Sequence, residues 1–321
     1  MKYRNLGKQG LKVSEISIGT MYHGSYFSKK TSISVLEEAV KQGINYIDCA
    51  DRYGIFDSEL PMEERTPAEE YLGEFLQGQN RDDLVISTKV FYKMRETPNS
   101  GGLNRKHIHE AVKRSLRLLQ TDYIDIYYCH RPDRDTPLEE TVLTMSDLIE
   151  EGTIHHWGTS WWPPTMVERA IWIAKKLGAH PPHAEQPPYH MYARFIEEDL
   201  LEVAKYHGLG LVTFEALATG LITEKYLKGI PKGSRASKDD DYKEEVMEKY
   251  RKRVNKLLPI AEKLEIPISQ IAIAWTLRLP EISSSLMGAS KPEQVISNAQ
   301  ASEVTLNKNT IEKIEKALKN S

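Results

Sequence analysis

Asp48, Tyr53, Lys89 and His130 are a carboxylate, a phenol, an ammonium and an imidazole, all at or near the ends of short β-branched or aromatic runs. Together they could move a proton. A tyrosine phenol titrates near pH ~10, so it is a reluctant donor at neutral pH. A cation beside it stabilises the phenolate and is expected to lower that value, and a carboxylate keeps a buried cation charged and oriented. Lys89 and Asp48 would supply those parts for Tyr53, while His130 could hydrogen-bond a substrate carbonyl or relay the proton. General-acid catalysis of this kind contributes roughly 10²–10⁴ in rate. Any hydride must come from a cofactor, because no side chain carries one. Alone, Asp48 could be a helix cap, Lys89 a surface charge and His130 a structural imidazole. It is their joint placement that points to catalysis.

The elements that must position them follow from periodicity. The expected strands are Ile16–Gly19, Asn45–Asp48, Leu84–Thr88, Ile124–Cys129, Ile154–Thr159, His183–Gln186, Gly210–Phe214 and Ile282–Met287. Between them run amphipathic helices. In Arg105–Leu119 the apolar Ile108, Ala111, Val112, Leu116 and Leu119 form a single stripe, and Thr165–Leu177 repeats the pattern. Thr66-Pro67-Ala68-Glu69 and Thr136-Pro137-Leu138-Glu139 read as capping boxes with proline at the first helical position, and Gly43 should stop the first helix.

Strand–helix repeats without a central linker predict an α/β fold, a single-domain (β/α)8 TIM barrel over residues 1–321. An open doubly wound sheet would show a glycine-rich turn after its first strand, and Gly19-Thr20-Met21-Tyr22-His23-Gly24 is not one. The length beyond a typical ~250-residue barrel is assigned to four segments. These are an N-terminal capping hairpin (Tyr3–Leu6 with Lys12–Glu15), a polar insertion at 55–67, a loop from Glu215 to Tyr242 containing Lys238-Asp239-Asp240-Asp241, and an extra C-terminal helix, Asn309–Leu318.

Composition excludes several classes. A net charge of −3 and a pI near 6.4 lack the basic footprint of a nucleic-acid binder. No stretch approaches the ~18 unbroken apolar residues of a membrane span, so a membrane-embedded chain is not expected. The basic start, MKYRNLGKQG, is followed by no apolar run, and no signal peptide is expected. Cys49 and Cys129 make no disulfide framework; packed thiols in a reducing, cytoplasmic setting are the expectation. His155 and His156 project to opposite strand faces, and His180, His183 and His190 lack a compact carboxylate set, which disfavours a metal hydrolase.

The chain resembles the aldo-keto reductase superfamily, and within it the voltage-gated potassium channel β-subunit group. The resemblance runs nearly the whole length. It rests on Met1-Lys2-Tyr3-Arg4-Asn5-Leu6-Gly7, Asp48-Cys49-Ala50-Asp51-Arg52-Tyr53-Gly54, Ile86-Ser87-Thr88-Lys89 and Tyr128-Cys129-His130-Arg131-Pro132-Asp133. It continues through Trp157-Gly158-Thr159-Ser160, Glu185-Gln186, Ser234-Arg235-Ala236-Ser237, Ala272-Ile273-Ala274-Trp275 and Gly288-Ala289-Ser290. The resemblance implies reduction of a small aldehyde or ketone to an alcohol, with Tyr53 as general acid and Asp48, Lys89 and His130 completing the catalytic set. Channel β subunits tend to carry Asn where this chain has His130, so the histidine favours real turnover. The alternative is a cofactor-binding regulatory subunit with little or no turnover. Channel subunits of this group are tetramers and related reductases are often monomers, which leaves homo-oligomerisation open.

The resemblance also implies a nicotinamide cofactor extended over the barrel mouth. Thr20, Met21, Asp48 and Tyr53 match positions near the nicotinamide, and Ser160 and Gln186 match the pair that holds its carboxamide. Leu217, Gly220 and Lys225, with Arg235 further along, match a loop around the pyrophosphate; Gly288, Ser290, Lys291, Gln294 and Asn298 match the adenosine side. Ser290-Lys291-Pro292-Glu293 reads independently as a capping box opening a helix, whose free N–H groups and dipole favour an anion, with Lys291 adding positive charge. An adenosine 2′-phosphate would fit, so NADP(H) is favoured over NAD(H). Three departures stand out: Glu215-Ala216-Leu217 where the family usually reads Ser-Pro-Leu, Met21 in place of a common Trp, and Trp161 where channel subunits carry arginine. Met21, Tyr22, Phe91, Tyr92 and Trp161 are the expected apolar wall on the substrate side.

Overall fold

Two short strands, β1 (Tyr3–Asn5) and β2 (Lys12–Ser14), pair antiparallel as the expected hairpin. The structure, a computed structural model, describes residues 1–55, 67–232, 234–237 and 242–319. Thr66, the Lys238–Asp241 run and all but the two ends of the 55–67 insertion therefore lie outside the described residues.

After the hairpin come β3 (Ile16–Gly19), β4 (Tyr46–Asp48), β5 (Val85–Val90), β6 (Ile124–Cys129), β7 (Ile154–Ser160), β8 (Ala184–Gln186), β9 (Gly210–Thr213) and β10 (Ile282–Met287). They pair in parallel and in order, with β10 returning to β3, to close a barrel. The helices are α1 (Lys29–Lys41), α2 (Ala68–Leu76), α3 (Arg105–Leu119), α4 (Leu138–Glu150), α5 (Pro164–Leu177), α6 (Leu200–His207), α7 (Glu244–Leu264), α8 (Ile268–Thr276), α9 (Pro292–Ala299) and α10 (Lys308–Lys319). The barrel is thus a (β/α)8 TIM barrel, as the alternation predicts. No helix among the described residues is long and apolar enough to cross a membrane.

Strand alternation explains the gradient inside. Successive side chains point to opposite faces, so each strand sends every second residue inward. Near the floor those residues are apolar: Tyr46, Val85, Ile126, Tyr128, Ala184 and Val212 form one buried cluster with Leu6 and Val13 of the hairpin. One step further along the same faces stand Asp48, Ser87, Lys89, His130 and Gln186. Gly158 makes this packing possible. A Cβ there would lie 2.6 Å from Tyr128 Cε1 and 2.7 Å from the Ala184 carbonyl oxygen.

The hairpin is tied to the floor by backbone and side chain. Lys8 N–H donates to Gly208 O at 2.9 Å, and Gly7 N–H to Ser283 Oγ at 3.0 Å. The Arg4 guanidinium donates to the carbonyls of Leu277, Leu279 and Ile282 and to Glu15. That fastens the hairpin to the link between the end of α8 and the start of β10.

Local structure departs from expectation at the helix starts and on β5. Pro67 and Pro137 stand at the N-cap rather than one position later, and neither proline caps its helix through its side chain. Thr136 Oγ1 donates to Asp133 Oδ2 at 2.8 Å instead, and Glu69 is buried against Thr88. At α9 the N-cap is Lys291, and both Ser290 N–H and Oγ meet Gln294 Oε1, so Glu293 does not close a capping box. Gly43 does terminate α1, at φ +80° with its N–H on Val40 O at 2.9 Å. Strand β5 extends to Val90, because pairing with β6 continues to Val90↔Cys129. Lys89 therefore lies within the strand and not beyond its tip.

Candidate active site

Parallel register sets the first contacts. Asp48 ends β4 opposite Ser87 of β5, and Lys89 is two residues further on the same inward face. Lys89 Nζ donates to Asp48 Oδ2 at 2.5 Å, to Cys49 O at 2.6 Å and to Tyr53 Oη at 3.4 Å. Neither Asp48 nor Lys89 exposes any side-chain surface. Asp48 Oδ1 accepts from Ser87 Oγ at 2.7 Å and from Gln186 Nε2 at 3.0 Å. Thr20 adds its N–H and hydroxyl to the Asp48 backbone oxygen, each at 3.0 Å. The ion pair is therefore fully hydrogen-bonded, which a buried pair requires.

Tyr53 sits on the turn that follows β4, and its ring meets the edge of His130 at 5.8 Å between centroids. On its other side His130 packs against Tyr92 at 5.1 Å. His130 follows β6, is buried, and its Nδ1 has no hydrogen-bond partner among the described residues. The four residues singled out from the sequence are thus brought together.

Burial would push the Lys89 ammonium down, but the Asp48 charge and then Tyr53 more than offset it; the net shift is up, and Lys89 stays charged. For Tyr53, burial pushes the phenol up, Lys89 pulls it down and Asp48 pushes it up again. The net direction is upward. The expected lowering is not reached because lost hydration and the Asp48 charge outweigh the cation. His130 is held well below its ordinary value by burial, then by Lys89, Arg131 and Arg52. It is a neutral imidazole at physiological pH, with one N–H to donate.

Around the mouth, Ser160 ends β7 and Gln186 ends β8, with Ser160 Oγ donating to Gln186 O at 2.9 Å. Gly288 follows β10, where a Cβ would meet nothing within 4 Å. Asn298 is buried on α9, while Ser290 and Lys291 at its start are exposed. In the loop after β9, Leu217 precedes Gly220 at φ +96°, and Lys225 Nζ stands 5.2 Å from the Tyr226 ring. Further along, the Arg235 guanidinium lies over Tyr22 at 4.8 Å and near Tyr242 at 5.7 Å. This draws the loop across to the end of β3. Glu215, at φ +64°, is pushed up by burial and pulled back by Arg235. The glutamate that departs from the family pattern thus faces a cation.

Residues 15–319 match the model of the Aldo/keto reductase family. The chain belongs to that family. It is 39% identical over 313 residues to a probable voltage-gated potassium channel subunit beta of Arabidopsis thaliana, covering 95% of this chain and 92% of that one. A protein of the same description from Oryza sativa subsp. japonica is 37% identical over 326 residues, covering 98% and 96%. A putative voltage-gated potassium channel subunit beta of Schizosaccharomyces pombe is 36% identical over 312 residues, covering 94% and 88%.

Aldo-keto reductases generally bind a nicotinamide nucleotide, and the donor set at this mouth fits one. Ser160 and Gln186 offer amide and hydroxyl groups beside Asp48. Lys225, Arg235 and Lys291 supply cations along the rim, and the start of α9 supplies free N–H groups.

The aromatic residues expected to wall the substrate are distributed unevenly. Tyr92 touches His130 and carries Arg52 over its face at 4.0 Å, while Phe91 packs on Tyr92 at 5.4 Å. Tyr22 packs on Tyr26 and lies under Arg235. Trp161, at φ +59°, stacks on Phe195 and, like Met21, is partly exposed. A cleft of about 280 Å³ opens beside Trp161, between Pro163, Pro187 and Leu200.

Three residues around the site were not singled out from the sequence: Ser87, Arg52 and Arg131. Ser87 was findable, because it precedes Lys89 by two and so shares its face. Both cysteines are buried free thiols, pushed up by burial. No group of three or more His, Cys, Asp or Glu able to hold a metal occurs among the described residues.

Proposed function

We propose that this aldo-keto reductase reduces aldehydes or ketones to alcohols with NADPH, and that Tyr53 is the acid that protonates the carbonyl oxygen. The observation that carries the reading is the hydrogen-bonded line from Asp48 Oδ2 through Lys89 Nζ to Tyr53 Oη. Asp48 keeps Lys89 charged inside the barrel. Lys89 stabilises the phenolate left when Tyr53 gives up its proton. The upward shift of Tyr53 keeps the phenol protonated, hence loaded, at neutral pH. The neutral His130 donates its N–H to the carbonyl oxygen and holds it against Tyr53.

When bound, the nicotinamide nucleotide supplies the hydride. Thr20, Met21, Ser160 and Gln186 would hold its nicotinamide end, and Leu217, Gly220, Lys225 and Arg235 its pyrophosphate. Gly288, Ser290, Lys291, Gln294 and Asn298 would hold the adenosine side, with Lys291 favouring the 2′-phosphate. Tyr22, Phe91, Tyr92 and Trp161 would bound the substrate. Two buried, unpaired thiols accord with a cytoplasmic setting.

Purified protein with NADPH and a panel of aliphatic and aromatic aldehydes, followed at the nicotinamide absorbance, tests this. Steady oxidation of NADPH that requires the carbonyl is expected. The relatives' descriptions as channel subunits favour a second reading, a nucleotide-binding regulatory subunit. Tight NADPH binding with no turnover on any carbonyl would establish that reading in place of the first.

A further inference from the structure

Behind the Tyr53 turn, between the barrel wall and helices α2 and α3, lies a second set of buried ionisable groups. Thr88 points outward, opposite to Lys89, and its hydroxyl donates to Glu69 Oε1 at 2.7 Å. Asp51 is 1% exposed and Glu69 is 0% exposed. Arg114 of α3 places Nη1 3.9 Å from Glu69 Oε2 and donates to the Asp51 backbone oxygen at 3.3 Å. Among the described residues, both Asp51 carboxyl oxygens, Glu69 Oε2, Ser115 Oγ and Tyr127 Oη lack a well-formed hydrogen bond. The helices cannot close further, since a Cβ on Gly73 of α2 would lie 2.1 Å from Leu118 O of α3.

This cluster is joined directly to the candidate acid. Asp51 N–H donates to Lys89 O at 3.3 Å, Tyr53 N–H to Ala50 O at 3.1 Å, and Ala68 N–H, at the start of α2, to Tyr53 O at 2.9 Å. The turn bearing Tyr53 is thus held between β5 and the helix that carries Glu69.

The charges do not balance if both carboxyls are ionised. Arg114 is the one cation within ion-pair distance of either carboxyl among the described contacts; Lys89 is committed to Asp48, and the charge of Arg52, over the Tyr92 ring, acts on Asp51 without an ion-pair contact among those described. An uncompensated buried carboxylate is strongly disfavoured and takes up a proton instead. Asp51 is pushed well up by burial and then by Glu69, with Arg114 and Arg52 pulling back. Glu69 is pushed up by burial, against Thr88, Ser115, Arg114 and Lys89. Tyr127 on β6 and Cys49 after β4 also face the cluster, and both are pushed up, so they stay neutral.

We propose that Asp51 and Glu69 hold one proton between them at neutral pH, with Arg114 balancing the remaining charge, and that the pair is a positioning device for the Tyr53 turn. Two carboxyls that couple in this way titrate as a unit. Stripping the shared proton at alkaline pH leaves two like charges in one dry space, which drives the turn and α2 apart and displaces the Tyr53 phenol. The positioning half rests on the reading of Tyr53 as the acid; the shared proton does not.

Infrared difference spectra of the full chain at neutral pH test the proton. Asp51→Asn should remove one carbonyl band of a protonated carboxylic acid, Glu69→Gln should remove one such band equally, and the double variant should remove no more. The buried acid Glu185 is common to all and cancels. Arg114→Met should instead add one band, which gives a second route if either carboxamide variant fails to fold. Loss of no band would overturn the shared proton, and so would two separate bands that sum in the double variant. For the positioning role, the alkaline limb of kcat in NADPH-linked aldehyde reduction should move to higher pH in Asp51→Asn and Glu69→Gln, with KM for NADPH unmoved. A limb that stays in place would overturn that role. If the unaltered protein reduces no carbonyl, the carbonyl-reductase reading and the positioning role both fail, and the infrared result still decides the proton.

Discussion

Lys89 Nζ lies 2.5 Å from Asp48 Oδ2 inside the barrel, with neither side chain exposed to solvent. The pair is held from both sides, by Ser87 and Gln186 on the carboxylate and by the Cys49 carbonyl on the ammonium. Removing one partner leaves the other charged and dry. Asp48→Asn and Lys89→Met are each expected to cost about 3–5 kcal/mol of unfolding free energy. The double variant should be more stable than either single one, because no orphan charge remains. Urea unfolding of the four proteins measures this, and strict additivity would contradict the account.

Tyr53 supplies the next prediction. Tyr53→Phe removes only the hydroxyl that Lys89 reaches at 3.4 Å. Turnover of an aldehyde should fall by roughly 10²–10⁴, while NADPH affinity, followed by nucleotide fluorescence, stays within a factor of two or so. An unchanged rate would remove Tyr53 from the acid's role.

Much of this architecture was legible because it is periodic. Strands Ile16–Gly19, Ile124–Cys129 and Ile282–Met287 and helix Arg105–Leu119 have the bounds that apolar spacing predicts. The residues at or just beyond the strand ends then follow from topology alone, Asp48 and His130 among them, while Lys89 stands one residue inside the end of β5. The outward-facing polar groups were not legible. Glu69 reads in sequence as the acid of a capping box, yet its partners are Thr88 on a strand and Arg114 on another helix. No local pattern encodes that pairing. The same holds for Glu215, whose neighbour Arg235 is brought back by a long loop.

Cofactor preference should respond to Lys291. It is exposed at the N-cap of α9, where N–H groups and a cation favour a phosphate. Lys291→Ala is expected to raise the Kd for NADPH on the order of tenfold, as loss of a charge-assisted hydrogen bond does. The Kd for NADH should hardly change. Equal weakening of both nucleotides, by fluorescence titration, would show that Lys291 does not read the 2′-phosphate.

Stability should depend on pH through Glu185. This residue precedes Gln186 on β8, faces outward and is fully buried, accepting from the Thr159 hydroxyl and the Trp162 N–H. Burial pushes its carboxyl from 4.5 up to about 8, against those donors. Between those values the folded chain keeps a proton that the unfolded chain has lost. Unfolding free energy therefore falls as pH rises across this window, with a limiting slope of about 1.4 kcal/mol per pH unit from this group, and the fall ends above the upper value. Glu185→Gln keeps a neutral side chain of the same shape and should flatten that slope, gaining stability relative to the parent as pH rises toward 8. Urea unfolding at a series of pH values measures the difference. A parent and a variant with parallel pH profiles would mean that Glu185 is ionised in the folded chain throughout.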